Sequence, residues 1–255
     1  MSDPWGGEEN RTKADGLATI INKVLQNLVV ESAKSEGVRD YFHVAVIGYG
    51  SQVGPAFSGP LAGRDLVPIS DVAENPARLE ERTQKVDDGV GGVIEQKVKL
   101  PIWFDAVAQN GTPMCEALRQ AESLVERWTN DHPDSFPPVI INISDGESTD
   151  GDPIDAAESL RSRSTSDGKV LLLNVHLSSH KGQSAIYFPD NESGLPDQHA
   201  RKLFNMSNVL PGQMQDRAKR SGYQVSEASR GFIYQADPVA VIEFLEIGTR
   251  PSNLR

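Results

Sequence analysis

Phe136-Pro137-Pro138-Val139-Ile140-Ile141-Asn142-Ile143-Ser144-Asp145-Gly146-Glu147-Ser148-Thr149-Asp150-Gly151-Asp152-Pro153 carries a strand, a carboxylate at its tip and the start of a helix. Its opening prolines could not sit inside a hydrogen-bonded central strand. Val139 to Ile143 follows, a β-branched run broken only by Asn142, and it reads as a strand buried on both faces. The run stops at Ser144-Asp145-Gly146, which leaves a carboxylate at the strand's C-terminal tip. Asp152 and Pro153 then supply an N-cap and a first helical residue. Ligands of open parallel sheets bind at the carboxyl ends of strands, so Asp145 stands where function is expected.

Apolar residues recur at helical spacing from Thr12 to about Ser35: Leu17, Ile20, Ile21, Val24, Leu25, Leu28 and Val29. They predict an amphipathic helix, stopped by Gly37. Tyr41 to Tyr49 is a near-continuous apolar run and predicts one buried strand. Gly48 to Gly54 has the glycines of a dinucleotide fingerprint, but Pro55, Gly59 and Pro60 follow and no helix begins to receive a pyrophosphate. A glycine turn into a neighbouring strand is the reading. Leu66 to Ile69 is an edge-strand candidate. Pro76 to Asp87 is charged and helix-compatible, Gly89 to Gly92 breaks it, and Val93 to Trp103 is ambiguous between helix and strand.

Gly111-Thr112-Pro113 starts a strong helix, with Thr112 at the N-cap and Met114, Ala117, Leu118, Ala121, Leu124, Val125 and Trp128 on one face. A helix over Ile154 to Arg163 leads to a buried strand, Val170 to Leu177. Ile186 to Phe188 can pair at an edge, and helices are expected over Asp197 to Met206 and Pro211 to Ser221. Gly231 to Gln235 is the last strand and Val239 to Ile247 the last helix. Strands alternating with helices predict an α/β fold: a doubly wound, mostly parallel sheet with helices on both faces.

Composition narrows the function. A net charge of −11 in 255 residues argues against nucleic acid, whose phosphates would be repelled. The single cysteine, Cys115, excludes an internal disulfide and suits a reducing compartment. No signal peptide is visible, and the most apolar region, Leu17 to Val30, carries Asn22, Lys23, Gln26 and Asn27, too polar to span a bilayer. A cytoplasmic protein with no membrane partner is expected.

Two motifs then stand side by side. Gly111-Thr112-Pro113 places a hydroxyl at the start of one helix, and Ile143-Ser144-Asp145-Gly146-Glu147 places a carboxylate at the tip of the next strand. With Thr12-Lys13-Ala14-Asp15, the Tyr41 to Gly50 strand and the closing Gly231 to Gly248 segment, the chain resembles the von Willebrand factor A (VWA) domain. It is most similar to the compact cytoplasmic bacterial branch found beside tellurium-resistance, kinase and phosphatase components. The resemblance implies a Rossmann-like VWA fold over residues 1–255 as a single domain, with a loop insertion around 50–110. It implies a metal-ion-dependent adhesion site (MIDAS) with Thr112 and Asp145 as ligands of Mg²⁺ or Mn²⁺, through which a partner protein's Asp or Glu is bound. Mg²⁺ takes about six oxygens in an octahedron near 2.1 Å and keeps several waters. The function implied is a protein-interaction module rather than an enzyme, with kinase, phosphatase or stress-response components as partners.

The chain departs from the family pattern: it has no Asp-x-Ser-x-Ser motif, and no strand precedes its first helix. The family's loop typically ends Ser-Met and runs through glycine-rich sequence into that helix, as Met1-Ser2-Asp3-Pro4-Trp5-Gly6-Gly7 does. The expectation is therefore an N-terminally truncated domain that begins inside the motif, with Ser2 and Asp3 as possible additional ligands. The lost strand would be central in the family's order 3-2-1-4-5-6. Its neighbours would be left with unpaired main-chain groups, each costing about 1–3 kcal/mol, unless Val44–Tyr49 pairs directly with Val139–Ile143. With two ligands, metal binding would be weak.

Other residues have simpler readings. Asp145 can be a turn residue, and N-capping alone explains Thr112. Asp150, Asp152 and Asp155 suit caps and helix dipoles. Cys115 reads as a small buried thiol. His176 and His180 lie on a strand running into a loop and lack helical metal-binding geometry. Two alternatives to the cation-bridged module remain: a metal-independent structural or scaffold domain, and a metal-dependent hydrolase using Asp145, Asp150 and Asp152.

Overall fold

The computed structural model describes residues 12–87, 93–106, 111–177 and 185–249. Ser2, Asp3, Trp5, the Met1–Gly7 motif and His180 lie outside them.

The first element among the described residues is helix α1 (Lys13–Ser32), held at its start by a capping box: Asp15 N–H donates to the Thr12 hydroxyl, and the Asp15 carboxylate accepts from Thr12 N–H. Ala18, Val24, Leu25 and Leu28 form its buried stripe. A small hairpin, β1 (Ala33–Lys34) with β2 (Gly37–Val38), turns the chain. The Tyr41 to Tyr49 run is not one buried strand. It divides into β3 (His43–Val44) and β4 (Ile47–Tyr49), both largely half-buried. The glycine turn then leads β4 into β5 (Val53–Pro55), its antiparallel partner. β6 (Val67–Pro68) pairs with β3 and runs into the short helix α2 (Ile69–Glu74).

The charged segment expected as a helix is instead a strand. β7 (Arg78–Asp87) and β8 (Val93–Ile102) form an antiparallel ribbon with ten residues on each side. Its register sets Glu81 opposite Lys99, and such cross-strand charge pairs support a two-sided ribbon. Asn22 of α1 ties the ribbon's root to the body: it accepts from Trp103 N–H at 2.8 Å and donates to the Phe104 carbonyl at 3.0 Å.

The second half builds the main sheet. Helix α3 (Met114–Asp131) leads to β9 (Val139–Ser144), then α4 (Ile154–Ser162), the hairpin β10 (Ser164–Thr165) and β11 (Gly168–Lys169), and β12 (Leu171–His176). β13 (Ile186–Tyr187), α5 (Gln198–Met206), α6 (Gly212–Arg220), β14 (Phe232–Tyr234) and α7 (Pro238–Thr249) complete it. The sheet order is β13-β14-β12-β9, with β9, β12 and β14 parallel and β13 antiparallel. Side chains of β12 alternate between two cores. Leu171, Leu173 and Val175 pack with apolar residues of α1, α6 and α7, whereas Leu172 packs with those of α3, α4 and α5. The architecture is therefore mixed α/β, with helices on both faces of a partly parallel four-stranded sheet. Among the described residues, no helix is long and apolar enough to cross a membrane.

β9 closes this sheet on one side. No strand pairs with its outer edge among the described residues, and it does not pair with β4. Val139, Ile140, Ile141 and Ile143 are accordingly half-buried rather than enclosed on both faces. The Tyr49 phenol reaches across to β9 instead, 2.6 Å from Asn142 Oδ1 and 3.0 Å from the Ile143 carbonyl.

Candidate functional site

The parallel strands end together on one rim, where the main-chain ladder runs out. The last rung is Leu177 N–H to the Ser144 carbonyl, at 2.8 Å. One residue on, the Ser144 hydroxyl donates to the Gly146 carbonyl and accepts from Gly146 N–H, which folds a tight turn around Asp145. Asp145 is thereby held just past the strand end, with its side chain 15% exposed.

Loop 146–150 wraps the start of α3. Thr112 and Thr149 clasp each other: Thr112 N–H donates to the Thr149 hydroxyl and Thr149 N–H to the Thr112 carbonyl, both at 2.9 Å. Gly111 precedes the clasp at φ +100°, where any other residue would be strained. The Thr112 hydroxyl faces Gly146, 3.6 Å from where a Cβ at that glycine would stand. Thr112 and Asp145 are thus brought to one rim.

Thr112 does not cap α3, contrary to the expectation from its position. The cap comes from Asp150, whose carboxylate accepts from Cys115 N–H at 3.0 Å and Glu116 N–H at 2.8 Å. Burial opposes ionisation of Asp150, but the Glu116 and Cys115 amides and the Ser148 hydroxyl outweigh it and hold its pKa below the ordinary value. Asp152 accepts from Ile154 N–H at the start of α4 and pairs with Lys202. Cys115 is buried, and burial pushes its thiol pKa up.

A side chain not singled out from the sequence completes the rim. Lys13, at the first position of α1, is 1% exposed. Its Nζ donates to the Leu177 carbonyl at 3.3 Å and lies 3.9 Å from Asp145 Oδ2. A lysine at a helix's first position opposes the helix dipole, and that misfit was the one sequence signal that could have flagged it. His176, also buried, stacks on Tyr234 with ring centroids 4.9 Å apart and meets the edge of His199 at 5.0 Å. Burial pushes the His199 imidazole pKa down, against the opposing pull of Glu147 and Asp197.

Among the described residues, the rim brings few side-chain donors to a divalent cation. Asp145 and Thr112 offer two of the roughly six oxygens required, and an ammonium group already stands beside the carboxylate. Among the described residues no group of three His, Cys, Asp or Glu side chains is arranged to hold an ion. No protein-family model matches this chain, nor does any curated protein or solved structure.

Proposed function

We propose that the chain is a protein-interaction module of the VWA type, built on a doubly wound sheet, that engages its partner at the Asp145 rim without a divalent cation. The observation that carries this reading is the 3.9 Å approach of the Lys13 ammonium to the Asp145 carboxylate. In the cation-bridged arrangement a metal balances this carboxylate and links it to a partner's acid. Here a buried side chain of the same protein supplies the positive charge, and it would repel a second cation placed beside it.

The hydrolase alternative is less well supported. Asp150 and Asp152, which would have to help hold its metal, are already engaged by main-chain amides at two helix starts.

A cation-bridged module remains the second reading, favoured by the Thr112 hydroxyl facing Gly146. Thermal unfolding and calorimetry with millimolar Mg²⁺ and Mn²⁺ separate the two. The metal-independent reading expects an unchanged midpoint and no saturable heat. Saturable stabilisation that disappears in Asp145→Ala would establish the cation-bridged site, because a ligand bound only by the folded state raises stability with its concentration.

A further inference from the structure

Two histidines meet at the end of α3 remote from the Asp145 rim. His132 is the C-cap of this helix, whereas Thr112 and Asp150 attend its start. The 18 residues of the helix set the two ends about 27 Å apart at about 1.5 Å per residue. His43, on β3, reaches the same place from the small sheet it shares with β6. The imidazole rings of His43 and His132 stand with centroids 5.2 Å apart and planes inclined at 54°.

His132 is fixed in one orientation. Its main-chain N–H donates to the Trp128 carbonyl at 2.9 Å, and its Nδ1 lies 3.0 Å from the same oxygen. Its ring stacks on the Trp128 indole with centroids 4.7 Å apart. A carbonyl only accepts, so Nδ1 carries the proton and the neutral ring keeps its lone pair on Nε2. Metal-ligating histidines use this tautomer and this kind of main-chain anchor. His43, Trp128 and His132 are all half-buried, so solvent reaches the pair.

The spacing of the rings is that of a shared tetrahedral ion. A Zn–N bond of about 2.0–2.1 Å, extended by about 1.2 Å from nitrogen to ring centre, sets each centroid about 3.2 Å from the metal. Two such rings at the tetrahedral angle stand about 5.2 Å apart. At the right angle of a square-planar or octahedral ion they would stand about 4.5 Å apart. The observed 5.2 Å is the tetrahedral value. The local charge also favours a cation. Asp40, Asp131 and Asp134 lie within three positions of the two histidines in the chain, and no lysine or arginine does.

We propose that His43 and His132 together hold a Zn²⁺ ion, with its two other tetrahedral positions open to water or to a side chain of a partner. Imidazole nitrogen suits zinc, whereas Mg²⁺ selects oxygen. Two protein ligands are fewer than the three of catalytic zinc sites or the four of structural ones, so the affinity expected is micromolar and no tighter. The ion links β3 to the end of α3. Its ligands include no residue of the Asp145 rim, so the site stands or falls independently of the reading of that rim.

Titration of the full chain with ZnCl₂, followed through the imidazole NMR signals of its five histidines, tests the proposal. The His43 and His132 signals shift together and saturate at one ion per chain, while those of His176 and His199 stay in place. The thermal midpoint rises as the site fills, and Mg²⁺ has neither effect. His43→Gln and His132→Gln each weaken binding about tenfold or more, since loss of an outer-shell partner alone costs about 10–100-fold. Should either variant fail to fold, the native chain at about pH 5 takes its place, because protonated imidazoles release the ion. Unmoved His43 and His132 signals, shifts confined to another histidine, equal binding of Mg²⁺, native affinity in either variant or undiminished binding in acid would each overturn the proposal. Saturation at one ion per two chains would overturn it in favour of a metal shared between copies.

Discussion

Lys13 and Asp145, 132 positions apart in the chain, meet with Nζ 3.9 Å from Oδ2, and the lysine is almost fully buried. Removing one partner of a buried pair costs about 3–5 kcal/mol in a dry interior. Asp145 keeps some water contact and the pair is long, so Lys13→Met is expected to cost less, about 2 kcal/mol. The double variant Lys13→Met/Asp145→Asn recovers part of that loss. Urea unfolding of the four proteins gives the coupling energy, and strictly additive losses would show that the two charges do not sense each other.

Asp150 caps α3 from a loop 35 positions downstream of Cys115. Asp150→Ala leaves the Cys115 and Glu116 amides without that acceptor and is expected to cost about 1 kcal/mol. The sign of the pH dependence follows from the lowered carboxyl pKa. The stabilisation is complete above the unfolded-state value, about 4, and is lost as pH falls through the lower folded-state value. Acid titration of stability should therefore show the native protein and Asp150→Asn converging at low pH. A constant gap through that window would assign the effect to something other than the ionised cap.

The elements legible in the sequence are those whose burial pattern is local. α3 shows Met114, Leu118, Ala121 and Val125 at helical spacing, and β12 is a mostly apolar run, enclosed on both faces, that also carries Asn174 and His176. The ribbon was not legible. Arg78 to Asp87 is rich in Glu, Arg and Lys, all good helix formers, and what makes it a strand is its pairing with Val93–Ile102. The Tyr41 to Tyr49 run carried enough apolar residues for one strand, but each half found a separate antiparallel partner, β6 or β5. At the rim, the strand-tip position of Asp145 was readable from Ser144-Asp145-Gly146. Lys13 was not, because its partners Asp145 and Leu177 lie more than a hundred residues away. The capping role read for Thr112 belongs to Asp150, 35 positions downstream of the Cys115 amide it accepts from.

Asn142, the polar break in its strand, pairs with Asn174 of β12 inside the core: Asn142 Nδ2 donates to Asn174 Oδ1 at 2.8 Å. Asn174 in turn donates to the Ser207 hydroxyl and the Leu203 carbonyl. Asn174→Leu strips the Asn142 amide of an acceptor, and an unsatisfied buried polar group costs about 1–3 kcal/mol. Added bulk in an enclosed site adds to that loss. The expected result is a fall in the urea midpoint with the slope unchanged, and a midpoint within error of the native protein would show the network to be energetically idle.

Gly59 sits at φ +63°, where a Cβ would come 2.8 Å from the Cα of Ala77 and 2.9 Å from its Cβ. Ala77 is fixed in turn by its N–H bond to the Ile102 carbonyl, at the root of the β7–β8 ribbon. Gly59→Ala thus combines a backbone conformation that L residues avoid with a clash against main chain that cannot rotate away. The expected cost is about 2 kcal/mol or more. Gly63, at φ +77° with open space around its missing Cβ, is the control that isolates the conformational part. Gly63→Ala should lose about 1 kcal/mol. Equal losses in urea unfolding at the two positions would show that the Ala77 contact adds nothing and that the ribbon's root yields to admit a methyl group.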